Sequence, residues 1–178
     1  MAGSILSGKR ILAVDDEPDV LAVLGEEILH ACTNCQVDKA GSYETAVEML
    51  KSRTYAVVVL DIMGVRGFEL LDVAVSRNFP VAMLTAHALS PEALKRAIEM
   101  GARAYLPKEK IGEIVSFLED ILKYDYEPGW RHLMENLRGF FNTRWGDGWW
   151  IPEAKFWSDF DKKTEKSTGR RSLISSRG

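Results

Sequence analysis

Five short apolar or strand-like runs, each followed by a stretch with helical spacing, fill roughly the first 115 residues of this 178-residue chain. That alternation limits the fold more than any composition does. Arg10–Val14, Tyr55–Leu60 and Pro80–Thr85 are the strong runs. Apolar runs of this length, bounded by polar or turn residues, suit strands buried on both faces. Gln36–Ala40 and Ala104–Pro107 are weaker strand candidates. Pro18 opens a helix carrying Val20, Leu21, Leu24 and Ile28 at helical spacing. Ser42 is the expected N-cap of a helix reaching Leu50, and Pro91 opens one that ends before Gly101. Ile111, Ile114, Val115, Leu118, Ile121 and Leu122 stripe a final helix. Strands and helices in this order imply an α/β fold: a five-stranded parallel, doubly wound sheet with helices on both faces.

Ligands of such sheets bind beyond the carboxyl ends of the strands. The first strand runs into Asp15-Asp16-Glu17 and the third into Asp61. The fourth ends in Thr85, and Lys108 follows the fifth. Three carboxylates, a hydroxyl and an ammonium therefore converge on one edge. Carboxylates so close repel one another, and a hard divalent cation such as Mg²⁺ relieves that repulsion while leaving room for water and a phosphoryl oxygen. A carboxylate beside Mg²⁺ can accept a phosphoryl group, and Thr85 and Lys108 can hold its remaining oxygens.

Residues 8–124 resemble the receiver domain of two-component response regulators. The resemblance rests on Asp15-Asp16 after the first strand, Asp61 after the third, Thr85-Ala86 after the fourth and Tyr105-Leu-Pro-Lys108 around the fifth. It implies a flavodoxin-like receiver fold with Asp61 as phosphoacceptor. Mg²⁺ would be held by Asp15, Asp16, Asp61 and the backbone carbonyl of Met63, with Thr85 and Lys108 on the phosphoryl group. Thr85 and Tyr105 take the switch positions, and Met63 and His87 the positions that tune phosphoryl lifetime. The only catalysis implied is Mg²⁺-dependent self-phosphorylation from a donor and self-dephosphorylation. The partner implied is a histidine kinase or phosphotransfer protein; a homodimer is a further expectation, through the face from the fourth to the fifth helix or through the C-terminal extension. Two departures stand out. The loop Asp61-Ile-Met-Gly64-Val-Arg-Gly67-Phe68 is shorter than the family's, without its proline, and Lys108 is followed by Glu109 where proline is usual.

Beyond the receiver-like part the composition changes. All five tryptophans lie after residue 126, and ten of the residues 126–160 are Phe, Tyr or Trp. Residues 125–160 are expected to form an aromatic-rich helical extension, with a break at Glu127-Pro128-Gly129, one amphipathic helix from Trp130 to Trp145 and a second from Pro152. So much apolar surface must bury on the receiver, on a second copy or on another partner. Residues 161–178 carry six Lys/Arg against two Asp/Glu and are expected to be a disordered basic tail.

Net charge is −3 overall, and −6 over residues 1–126, so a generally basic nucleic-acid-binding domain is excluded and the tail would bind DNA only weakly and salt-sensitively. No apolar run approaches ~18 residues and no secretory signal is visible at Met1–Arg10, so a cytoplasmic protein without membrane contact is expected. Cys32 and Cys35 read as incidental thiols of a connecting loop rather than as a zinc or redox pair. The leading expectation is a phosphorylation-controlled switch of protein interaction or oligomerisation. Its rivals are a constitutive receiver-like scaffold with the aromatic extension as oligomer interface, and a weak DNA-binding regulator acting through the basic tail.

Overall fold

The structure, a computed structural model, describes residues 3–175, with side chains as far as Glu165. The chain forms two compact units, Met1–Leu122 and Lys123–Gly178. The first alternates β1 (Arg10–Val14), α1 (Pro18–Ala31), β2 (Gln36–Ala40), α2 (Tyr43–Ser52), β3 (Val57–Leu60), α3 (Gly67–Ser76), β4 (Val81–Thr85), α4 (Pro91–Glu99), β5 (Ala104–Pro107) and α5 (Ile114–Lys123). All five strands pair in parallel in the order β2-β1-β3-β4-β5. Right-handed crossovers in that order put α1 on one face and α2, α3 and α4 on the other, and the turn that leads into α5 packs on α1.

The apolar runs form the middle of the sheet because they are covered twice. Val57, Val58, Val59 and Leu60 are all buried, as are all five residues of β4. Each helix returns its apolar face: Leu21, Leu24 and Ile28 from α1, Leu70 and Leu71 from α3, Phe117, Leu118 and Ile121 from α5. A fully buried side chain of this kind contributes about 1.5–3 kcal/mol. The helix starts follow local chemistry. Ser42 Oγ accepts the Thr45 N–H (3.2 Å), and Ser90 Oγ accepts the Ala93 N–H (3.1 Å). Pro18 and Pro91 stand in first turns, where a missing N–H is harmless. Ile111, expected in the last helix, lies instead in a 3-10 turn, Lys108–Glu113, that leads into α5.

Three further expectations are corrected. Cys32 and Cys35 are not free thiols but are disulfide-bonded, because the turn after α1 brings their Cα atoms to 5.6 Å, within bridging range. The helical break lies at Tyr124-Asp125, ahead of Glu127-Pro128-Gly129, and Pro128 falls in the first turn of α6 (Tyr126–Trp145). The expected disordered tail continues as helix: α7 runs from Ala154 to Ser175. Phe160 and Thr164 are buried, and the Thr164 hydroxyl donates to the Phe160 carbonyl (3.0 Å), so a packed face carries the helix past the onset of the basic run. Residues 176–178 of that tail lie outside the described residues.

The second unit is a helical pair, α6 and α7, with its own aromatic core. Trp130 is fully buried, with the Phe160 ring edge-on at 6.3 Å. Phe141 stacks on Trp145 at 4.6 Å, and Trp149 meets Trp157 edge-on at 4.9 Å. Much of the extension's aromatic surface is thus buried within the unit itself.

Candidate functional site

Sheet register builds the site. Val14 pairs with Leu60, so Asp15 and Asp61 leave adjacent strand ends side by side, and the Asp61 N–H donates to the Val14 carbonyl (2.9 Å). Thr85 pairs with Pro107, which puts Lys108 one residue beyond β4's end. Asp15, Asp16 and Asp61 each offer a carboxylate oxygen, and these oxygens lie within 4.8 Å of one another. Asp15 and Asp61 are buried, and Asp16 is exposed.

Lys108 reaches into this cluster. Its Nζ lies 2.9 Å from Asp15 Oδ2, 3.4 Å from Asp61 Oδ2 and 3.4 Å from Glu17 Oε2. The Asp15 contact is a charge pair without hydrogen-bond alignment, because Asp15 Oδ2 is buried and receives no aligned donor. Burial disfavours the Lys108 ammonium, but Asp15, Asp61 and Glu17 outweigh it and hold its pKa above the ordinary value. Asp61 moves the other way for a carboxylate. Burial first, and then the Asp15 and Asp16 charges, push it up to about 6 against the pull of Lys108. One ammonium therefore does not neutralise the cluster. A buried carboxylate oxygen without an aligned donor, within an all-oxygen group of three acids, suits a hard divalent cation of the Mg²⁺ kind.

The shortened loop closes over this edge by two glycines and one strained residue. Gly64 has φ +84°, and a side chain there would overlap the Asp16 carboxylate. A side chain on Gly67 would overlap the Asp61 carbonyl oxygen. Arg66 is left-handed (φ 57°, ψ 54°), an unusual state for a non-glycine residue. Its guanidinium lies 4.1 Å over the Tyr43 ring and donates to Glu69 (Nε–Oε1 3.0 Å). The sequence marked the loop holding Gly64 and Gly67 as shortened, but gave no signal for the part of Arg66. Glu17 likewise was visible only as a neighbour of Asp15-Asp16.

Thr85 and Tyr105 meet in the loop between β4 and α4. The buried Thr85 Oγ1 accepts the Ala88 N–H (3.1 Å). The buried Tyr105 hydroxyl donates to the Ala88 carbonyl (2.7 Å) and accepts the Ser90 N–H (3.1 Å). Burial raises the Tyr105 pKa, so it stays neutral. Met63 and His87 are exposed beside the site, Met63 at 53%. Among the described residues no peptide bond is cis, so Lys108-Glu109 is trans. No helix of the described residues is long and apolar enough to cross a membrane.

Comparison with known proteins agrees with this architecture. The family model of the response regulator receiver domain matches residues 11–119. The chain is 38% identical over 105 residues to the two-component response regulator ARR18 of Arabidopsis thaliana, a match that covers 57% of this chain and 16% of that protein. It is 34% identical over 107 residues to the transcriptional regulatory protein TcrA of Mycobacterium tuberculosis (strain ATCC 25618 / H37Rv), covering 58% of this chain and 41% of that one. These matches span less than half of either relative. Among solved structures, the signal receiver domain of a DNA-binding response regulator from Colwellia psychrerythraea superposes with a TM-score of 0.59 at 20% identity, over 65% of this chain and 99% of that chain, which supports the fold alone. A LuxR-family response regulator from Aurantimonas gives 0.54 at 28% identity, over 65% and 85%. The family match covers most of the first unit, and on it the chain belongs to the response regulator receiver domain family of two-component systems.

Proposed function

We propose that the chain is a phosphorylation-controlled interaction switch that accepts a phosphoryl group on Asp61 from a histidine kinase or phosphotransfer protein. The observation that carries this reading is the convergence of Asp15, Asp16 and Asp61 with Lys108 at one sheet edge. An Asp61 carboxylate oxygen attacks the donor's phosphorus; the new O–P bond forms as the donor's N–P or O–P bond breaks, and the leaving group keeps the electron pair. In the metal-free site Asp61, lifted to about 6, is still mostly ionised at neutral pH, and a bound divalent cation would favour the ionised form further. Asp15, Asp16, Asp61 and the Met63 carbonyl would hold Mg²⁺, which supplies positive charge to offset the incoming phosphoryl oxygens. Lys108 is already placed on the Asp61 side chain, and its ammonium would bind a phosphoryl oxygen there.

Ala88 links this chemistry to a moving part. Its N–H is held by Thr85 and its carbonyl by Tyr105. A Thr85 hydroxyl that turns to donate to a phosphoryl oxygen gives up the Ala88 N–H, which loosens the residue that anchors Tyr105. The α4–β5–α5 face then changes its partner preference. Exposed Met63 and His87 flank the path of water to the acyl phosphate and tune its lifetime. The scaffold reading loses part of its motive, since much of the extension's aromatic surface is buried within its own unit. Incubation with Mg²⁺ and acetyl phosphate should add one phosphoryl group to the wild type and none to Asp61→Asn. Stoichiometric labelling of that variant would refute the acceptor assignment.

A further inference from the structure

The second unit holds a cavity of about 520 Å³ between α6, the turn that follows it and α7. That volume lies in the range of small-molecule sites, about 300–1,000 Å³. Three indoles, Trp149, Trp150 and Trp157, form much of its wall. Trp149 is fixed: its Nε1–H donates to Asn142 Oδ1 (2.9 Å), and its ring meets Trp145 at 5.3 Å and Trp157 at 4.9 Å. Trp150 is different. It is 45% exposed, and among the described residues its indole makes no ring contact and no hydrogen bond. A large apolar ring left open at the mouth of an aromatic cavity is a surface that an occupant would cover.

Charge selects the occupant. Among the described residues the cavity is lined by the carboxylates of Asp147, Asp161 and Glu165 and by two cations, Arg138 and Lys162. Asp161 is already answered by Arg138 (3.6 Å) and Arg131 (3.8 Å). Asp147 and Glu165 have no side-chain partner among the described residues, so one ammonium, Lys162, stands against two open carboxylates. The C-terminal end of α6 and the N-terminal end of α7 bring partial charges of opposite sign, which largely cancel. Indole faces attract cations through their quadrupole, most strongly when the cation is desolvated. Among the described residues, the charge that these walls lack is positive.

We propose that this cavity is a binding site for a small soluble organic cation, an ammonium head on an apolar body, with Trp150 closing over it and Asp147 and Glu165 supplying the counter-charge. The site lies wholly within the second unit and does not depend on phosphorylation of Asp61. It would make the extension a ligand-responsive element attached to a receiver.

The test is a calorimetric and NMR titration of the full chain with choline, with its uncharged isostere 3,3-dimethylbutan-1-ol, and with benzoate. Choline should bind with a Kd on the order of 1 mM and shift the Trp150 indole N–H signal, while the neutral isostere and benzoate bind at least about fivefold more weakly. Trp150→Ala, a substitution at an exposed ring whose fold is checked by circular dichroism, should weaken choline at least about fivefold, and Asp147→Asn about twofold or more. Equal binding of the isostere, unchanged binding by Trp150→Ala, or a choline titration that leaves the Trp150 signal in place would each overturn the proposal. So would binding to phosphatidylcholine vesicles without binding of free choline. Protection of Trp150 that rises with protein concentration alone would assign the surface to a second copy instead.

Discussion

Replacing Asp61 by Asn should make the metal-free protein more stable, although it removes an ion pair. Asp61 sits 3.4 Å from Lys108, but its pKa is raised to about 6 against an ordinary value near 4, so burial and the neighbouring acids outweigh that lysine. The folded state holds the Asp61 proton more tightly than the unfolded state does. Stability should therefore fall as pH rises from about 4 to about 6, with the whole penalty present above that. A shift of about two pKa units corresponds to no more than about 3 kcal/mol, and solvent at the exposed Asp16 rim screens part of it, which leaves about 1–2 kcal/mol. Urea unfolding in EDTA at neutral pH should show the Asn variant with a midpoint higher by roughly 0.5–1 M, at an m-value of about 2 kcal/mol/M. Near pH 4 the two proteins should coincide, because both then carry a neutral group at this position. Adding Mg²⁺ should stabilise the wild type far more than the variant, since ligand that binds only the folded state adds its binding free energy. An Asn variant less stable than wild type in EDTA, or a difference unchanged between pH 4 and 7, would show that Lys108 does neutralise the acidic cluster.

Two other substitutions probe the frame around the site, and a third probes the helical extension. Gly67→Ala should destabilise the first unit by about 2–4 kcal/mol in urea, because the added methyl overlaps the Asp61 carbonyl and the backbone must move. Tyr105→Phe should lower stability by about 1–2 kcal/mol, since it leaves the Ala88 carbonyl and the Ser90 N–H without the hydroxyl that joins them. Hydrogen exchange at residues 86–90 should quicken in the same variant. Trp130→Ala should cost the helical extension about 3–5 kcal/mol and abolish its helical signal on mild heating, because Trp130 is its largest fully buried side chain.

What the sequence made legible, and what it did not, divides by the range of the forces involved. The strands and the acidic edge were readable because each depends on local pattern. Val57–Leu60 is apolar throughout because both sides are covered, and Asp15, Asp61, Thr85 and Lys108 sit where strands end. The loop over the site was not readable beyond its glycines. Arg66 adopts a left-handed backbone that its own type disfavours, where its side chain stacks on Tyr43 from another element. The disulfide escaped because pairing depends on how the turn after α1 folds, not on the spacing of Cys32 and Cys35 alone. The helical start of the basic run escaped because charge suggested solvation, whereas the buried face through Phe160 and Thr164 holds the backbone there. Tyr105 was placed correctly at a strand, but its bonds to Ala88 and Ser90 belong to a loop with no pattern of its own.

The claim on which the functional reading rests is that Asp61, and no other carboxylate of the cluster, carries the phosphoryl group. An acyl phosphate is reduced by borohydride to an alcohol, which converts the aspartate to homoserine. After incubation with Mg²⁺ and acetyl phosphate, borohydride reduction and peptide mass spectrometry should find homoserine at position 61 and intact aspartate at positions 15 and 16. Homoserine at 15 or 16, or none at any of the three while a known receiver labels under the same conditions, would contradict it.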